Sequence, residues 1–104
     1  MKVKVYHANN PTFGMGKVQP KFPEEFTQVA DVKIDISNAL INTSTTLALG
    51  LTFRFTNHID TDWRENEGVT ALTDNPRSTS VGDVLCIAGD NFRVAECGFE
   101  KILL

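Results

Sequence analysis

His58-Ile-Asp-Thr-Asp62 brings one imidazole and two carboxylates together on a short stretch. Nitrogen and oxygen donors of these kinds ligate divalent ions. With His7 arriving from elsewhere in the chain, His58, Asp60 and Asp62 would suit a small metal-dependent hydrolase. The spacing matches no established metal signature, and Asp60 and Asp62 serve equally well to cap and turn the backbone after a helix. No metal and no other cofactor is therefore expected. Arg77-Ser-Thr-Ser80 sets three hydroxyls beside a guanidinium, a combination that can hold an anion or contact a partner. The competing reading has the hydroxyls satisfying backbone donors at the entry to a strand, with Arg77 pairing a nearby acid. Ser78 and Ser80 lack a His–Asp relay, so neither reads as a nucleophile. There is no phosphate-binding glycine loop and no zinc spacing. Cys86 has no histidine nearby in sequence and reads as a small apolar filler. No catalytic residue is assigned.

A second candidate lies in residues 9–23. Asn9, Asn10, Pro11, Gly14, Gly16, Pro20 and Pro23 make this a long loop, and loops of that length are often functional or mobile. It carries Phe13, Met15 and Phe22. These apolar side chains either pin the loop to the core or form an exposed patch that contacts a partner. The binding candidates are thus Phe13, Met15, Phe22, Arg77 and Arg93. A nucleic-acid reading would use Arg54, Arg64, Arg77 and Arg93 on phosphates, with Tyr6 or Trp63 as a stacking platform.

The elements that must position these residues follow from periodicity. Residues 2–7 alternate, with Val3, Val5 and His7 on one side. Residues 26–34 form a second strand, with Phe26, Ala30, Val32 and Ile34 facing one way; Val29 breaks the alternation. Residues 35–57 mix strand-like and helix-like spacing. Their length favours a helix, with Ile36, Leu40, Leu47, Leu51 and Phe55 inward. Asp35 or Ser37 would be its N-cap, and Asn57 would end it in the left-handed conformation. Asp62-Trp63-Arg64-Glu65 reads as a capping box with Trp63 packed inward. Residues 69–72 suit a short strand, and Thr73 to Pro76 a turn.

The C-terminal quarter carries the strongest pattern. Residues 84–88 and 92–97 read as two strands joined by Gly89-Asp90. That register pairs Ile87 with Phe92 and Leu85 with Val94, and places Cys86, Arg93 and Ala95 on the other face. It also sets Cys97 opposite Gly82, about 13 Å from Cys86 at strand rise. A disulfide needs Cα atoms within about 7 Å, so two free thiols are expected.

The chain has 104 residues, which suits one domain spanning 1–104. Its net charge is −3, too acidic for non-specific nucleic-acid binding and too weak for a mimic of DNA. No apolar run is long enough to span a membrane, and the first residues alternate like a strand rather than a signal peptide. A cytoplasmic location follows.

Thr56-Asn-His-Ile-Asp-x-x-Trp63, then Arg77-Ser-x-Ser-Val-Gly-Asp-Val84, then Gly98-Phe-Glu-x-Ile102 resembles a group of small bacteriophage and mobile-element proteins that includes YodL-like domains. The resemblance covers roughly the last half of the chain. It implies an α+β fold with a C-terminal antiparallel hairpin and an origin in a phage or mobile element, hence the cytoplasm of a host cell. It brings no catalytic residues. It implies a module that binds a host or phage protein, inhibiting or redirecting a defence or nucleic-acid-processing complex. The expected architecture is α+β, a small mostly antiparallel sheet with one main helix and a C-terminal β-hairpin.

Overall fold

The computed structural model describes residues 1–15, 18–34, 41–58, 62–74 and 77–103; of the side chains at 41–44 nothing is said. Its strands are β1 (Lys2–Ala8), β2 (Phe26–Lys33), β3 (Val69–Ala71), β4 (Val84–Ile87), β5 (Asp90–Ala95) and β6 (Gly98–Ile102). They form one antiparallel sheet in the order β3-β2-β1-β4-β5-β6. One helix, α1 (Ile41–Phe55), and a 3₁₀ turn (Trp63–Glu65) complete the α+β fold. No helix among the described residues is long and apolar enough to cross a membrane.

β1 is central because its alternation is sharp. Val3, Val5 and His7 are buried, whereas Lys2 and Lys4 face solvent. The inward set packs with Ala30, Val32, Leu85, Ile87, Val94, Ala48, Leu49 and Trp63 into the main core. A smaller cluster on the other face joins Ala8, Phe26 and Val84, with Tyr6, Phe22 and Ile102 beside it.

Four expectations need correction. In β2, Val5 pairs with Ala30 but Tyr6 pairs with Gln28, so Val29 is the extra residue of a bulge. The bulge puts Val29 into the main core next to Ala30. It also sends Phe26 to the opposite face, where it sits across from Ala8. The break in alternation at Val29 marks this.

The β4–β5 turn is Ala88-Gly89, not Gly89-Asp90. Both residues have positive φ, 51° and 84°, the pairing a two-residue hairpin turn requires. Ile87 therefore faces Asp90, and Leu85 faces Phe92. The slip is two residues, so every side chain keeps its expected face. This register lets Gly82 N–H bond to Val94 C=O and Val94 N–H to Asp83 C=O, extending the ladder beyond β4. Cys86 then lies opposite Asn91, and Cys97 falls in the exposed turn before β6; both thiols are free.

In α1 the fully buried stripe is Ala48, Leu49 and Thr52, continued by Thr56 just past its end; of the expected inward residues Leu51 and Phe55 pack partly buried against the core, while Leu47 is 44% exposed. Small residues at 48, 52 and 56 let the helix lie close to the sheet. Their cost in polarity is removed by back-bonding: Thr52 Oγ1 donates to Ala48 O at 2.7 Å and Thr56 Oγ1 to Thr52 O at 2.8 Å. Ile36, Leu40 and both proposed N-caps lie outside the described residues.

Asn57 does not adopt a left-handed conformation. Its side-chain amide bonds to Phe53 O, Asn66 Nδ2 bonds to Phe55 O, and Thr79 N–H bonds to Thr56 O. Side chains and a neighbouring segment thus satisfy the carbonyls that a left-handed residue would otherwise serve. Asp62 caps the 3₁₀ turn, accepting from Arg64 N–H.

Candidate functional site

Arg77, Ser80 and the end of β1 meet at Asp83, whose side chain is 1% exposed. Oδ1 accepts from Arg77 Nη2 at 2.7 Å and from Ala8 N–H at 3.0 Å. Oδ2 accepts from Arg77 Nη1 at 2.6 Å and from Ser80 N–H at 2.8 Å. Arg77 also donates to Ser78 O, Ser80 Oγ and Ala8 O. Ser80 Oγ adds a longer bond to Oδ2 at 3.4 Å, so each oxygen has at least two donors, and the knot ties the 77–83 segment to the end of β1. Ser78 Oγ accepts from His58 N–H, and Trp63 Nε1–H donates to Arg77 O at 2.9 Å. Of the two readings of Arg77-Ser-Thr-Ser80, this is the ion pair with satisfied hydroxyls. Arg77 is accordingly not a free cation awaiting a phosphate.

His7 Nε2 lies 2.8 Å from Thr79 Oγ1 and 3.9 Å from Asp83 Oδ2. Hydroxyl and carboxylate thus approach the same ring nitrogen, whereas a nucleophile relay needs the acid on the opposite one. Thr79 is only 1% exposed, which denies a substrate access.

Burial pushes His7 down from 6.5 to about 4, with the Asp83 carboxylate opposing and the Arg77 guanidinium assisting. The unfolded chain therefore binds the extra proton first. Stability is full above about pH 6.5 and falls as pH drops toward about 4. Between pH 7.5 and 5 the expected loss is about 2 kcal/mol, read from urea midpoints; His7→Gln should flatten that slope. A parent whose midpoint is unchanged over this range would show that His7 is not held neutral.

Of the metal candidates, His58 and Asp62 make other contacts. His58 Nδ1 accepts from Trp63 N–H at 3.3 Å. Asp62 is gripped by Arg64 through Nε and Nη2, which holds its carboxyl down to about 2. Asp60 lies outside the described residues. Among the described residues no group of three or more His, Cys, Asp or Glu is placed to hold a metal ion.

The 9–23 loop divides its apolar residues. Phe22 turns inward and packs edge-on against Tyr6 at 5.2 Å and Phe26 at 5.3 Å between centroids. Phe13, Met15 and Val18 point outward, 47%, 71% and 78% exposed. Sequence reasoning passes over Val18, although its spacing from Met15 was visible.

Phe13 and Gly14 are the central residues of a turn closed by Met15 N–H to Thr12 O at 2.9 Å, with φ of 55° and 78°. A β-carbon at Gly14 would lie 2.7 Å from Val81 Cγ1, so this turn rests directly on the 77–83 segment. The Arg77 guanidinium carbon sits 5.8 Å from the Phe13 ring centre. Arg93 is half-buried and donates to Pro20 O at 3.4 Å, while its Nε has no partner. The stacking candidates fare differently: Trp63 is 0% exposed, and Tyr6 is held by Phe22. In comparisons with protein-family models, curated proteins and solved structures, nothing matches this chain.

Proposed function

We propose that the protein is a small phage-type binding module that docks on a host or phage protein through Phe13, Met15 and Val18, inhibiting or redirecting a defence or nucleic-acid-processing complex. The observation that supports this is the backbone of Phe13. A bulky aromatic residue at φ 55° is an outlier. The left-handed conformation costs an L-residue with a Cβ about 1–2 kcal/mol, and glycine or asparagine would avoid most of it. Folding gains little in return, since about half of the side chain remains in water. Such strain persists where it serves function. Here it fixes an aromatic side chain on a braced turn, so little ordering remains to be done on docking. Aromatic anchors of this kind carry much of the energy at interfaces. The nucleic-acid reading has less support, because Arg64 and Arg77 are ion-paired and Trp63 is buried.

The test is a Phe13→Asn, Met15→Ala variant. Asparagine tolerates the left-handed region, so the fold should be as stable as the parent or up to about 1 kcal/mol more so. Retention of the protein partner captured from a bacterial lysate should weaken tenfold or more, on the order of 1.4 kcal/mol. A variant that unfolds readily would make the Phe13, Met15 and Val18 ridge of the loop core packing and move the search to the polar sheet face around Arg93.

A further inference from the structure

We propose that the far end of the sheet, at the start of β1, binds a doubly charged phosphate-type oxyanion carried on a small molecule. Lys2 and Lys33 are directly opposite each other in the β1–β2 ladder, and Lys4 is opposite Asp31. Because Val3 and Val32 are buried in the main core, all four side chains stand on the face turned away from it. Like charges in direct register disfavour pairing, and a sheet built only for stability would alternate them. Three ammonium groups share this face with a single carboxylate, which pairs with only one of them. Asp31 lies 3.9 Å from Lys2 through Oδ2, and its Oδ1 accepts from Gln28 Nε2 at 3.0 Å. Neither Lys4 nor Lys33 has an ion-pair partner among the described residues. Three positive charges and one negative leave +2 on this patch of a chain whose net charge is −3.

The patch borders a concavity of about 580 Å³ lined by Lys2, Asp31, Lys33, Gly68 and Thr70. Thr70 is opposite Asp31 in the β2–β3 ladder, which puts its side chain on the same face as the lysines. Gly68 closes the wall: Lys33 N–H bonds to its carbonyl at 2.8 Å, and a β-carbon there would meet Lys33 O at 3.0 Å. Lys33, which has no carboxylate partner among the described residues, and Lys2 both line the concavity, and with a hydroxyl on the same face they suit an oxyanion of charge about −2, the charge a phosphate monoester carries near neutral pH. The volume falls within the range of small-molecule sites. This site is independent of the loop ridge, which rises over the opposite end of β1.

The experiment is an amide NMR titration of the whole chain with inorganic phosphate, with a nucleoside monophosphate and with a single-stranded oligonucleotide. Saturable shifts at Lys2, Lys33 and Thr70 with the first two are expected. They should weaken about tenfold in Lys33→Gln, as loss of a charge-assisted contact does, and recover in Lys33→Arg. The proposal is overturned by shifts that do not saturate, by shifts unchanged in Lys33→Gln, or by saturation with the oligonucleotide alone. The last result would make the patch a polyanion surface instead.

Discussion

Replacing Asp83 with alanine is expected to destabilise the fold by about 3–5 kcal/mol, the loss seen when one partner of a buried pair is removed. The reason is the number of groups that depend on one carboxylate. Arg77, Ser80 N–H and Ala8 N–H all donate to it, and the Asp83 side chain is 1% exposed. Without it, backbone donors on β1 and on the 77–83 segment lose their acceptor at once. The Arg77 side chain is 29% exposed and can recover some hydration, so Arg77→Ala should cost less than Asp83→Ala. The two groups touch, so the double variant should lose less than the sum of the single losses. Denaturant unfolding of the four proteins measures this directly. A loss under about 1 kcal/mol for Asp83→Ala would mean that water can replace the carboxylate and that the knot holds nothing together.

This knot shows where sequence reading stops. That Arg77 pairs with an acid and that the neighbouring hydroxyls serve the backbone were both legible from residue types. That the acid is Asp83, six positions on, was latent in Ser-Val-Gly-Asp but gives no periodic signal. The bond from His7 to Thr79 spans 72 residues, and local patterns carry nothing about contacts of that range. The turn at Phe13 was hidden for the opposite reason. Two-residue turns with positive φ announce themselves by glycine or asparagine at both positions, and phenylalanine occupies the first of them.

The fold was more legible than the site because burial imposes periods. Alternation found β1, β2, β4 and β5 and assigned β4 and β5 to the correct faces, since a two-residue slip preserves them. The same method placed Phe26 on the wrong face, since one bulged residue reverses the phase for everything on its far side. In α1 the error came from weighing size alone. Leu49 is buried and Leu51 and Phe55 pack against the core, but Leu47 is exposed, and the close approach of helix and sheet selects Ala48 and Thr52, with Thr56 just beyond. A threonine that returns its hydroxyl to its own helix buries like a small apolar residue.

Trp63→Ala is expected to cost about 3–5 kcal/mol, the range for truncating a buried tryptophan. The ring is 0% exposed and belongs to the main core with Val29, Ile34, Ala48 and Leu85. It stands edge-on to His7 with centroids 6.3 Å apart, and its Nε1–H is the donor to Arg77 O. Two contributions can therefore be separated. Trp63→Phe keeps most of the apolar volume but leaves the Arg77 carbonyl without that donor, and should cost about 1–3 kcal/mol. Trp63→Ala adds a cavity between the 77–83 segment and β1, and the difference between the two variants reports the packing alone. Because the ring supports the segment that carries Arg77 and Val81, loss of packing there should also loosen the Phe13 turn resting on them. Faster amide exchange at Gly14 and Met15 in Trp63→Ala would register that coupling. If Trp63→Ala instead loses less than about 1 kcal/mol, the ring is exposed in solution, and Trp63 becomes a binding residue in its own right.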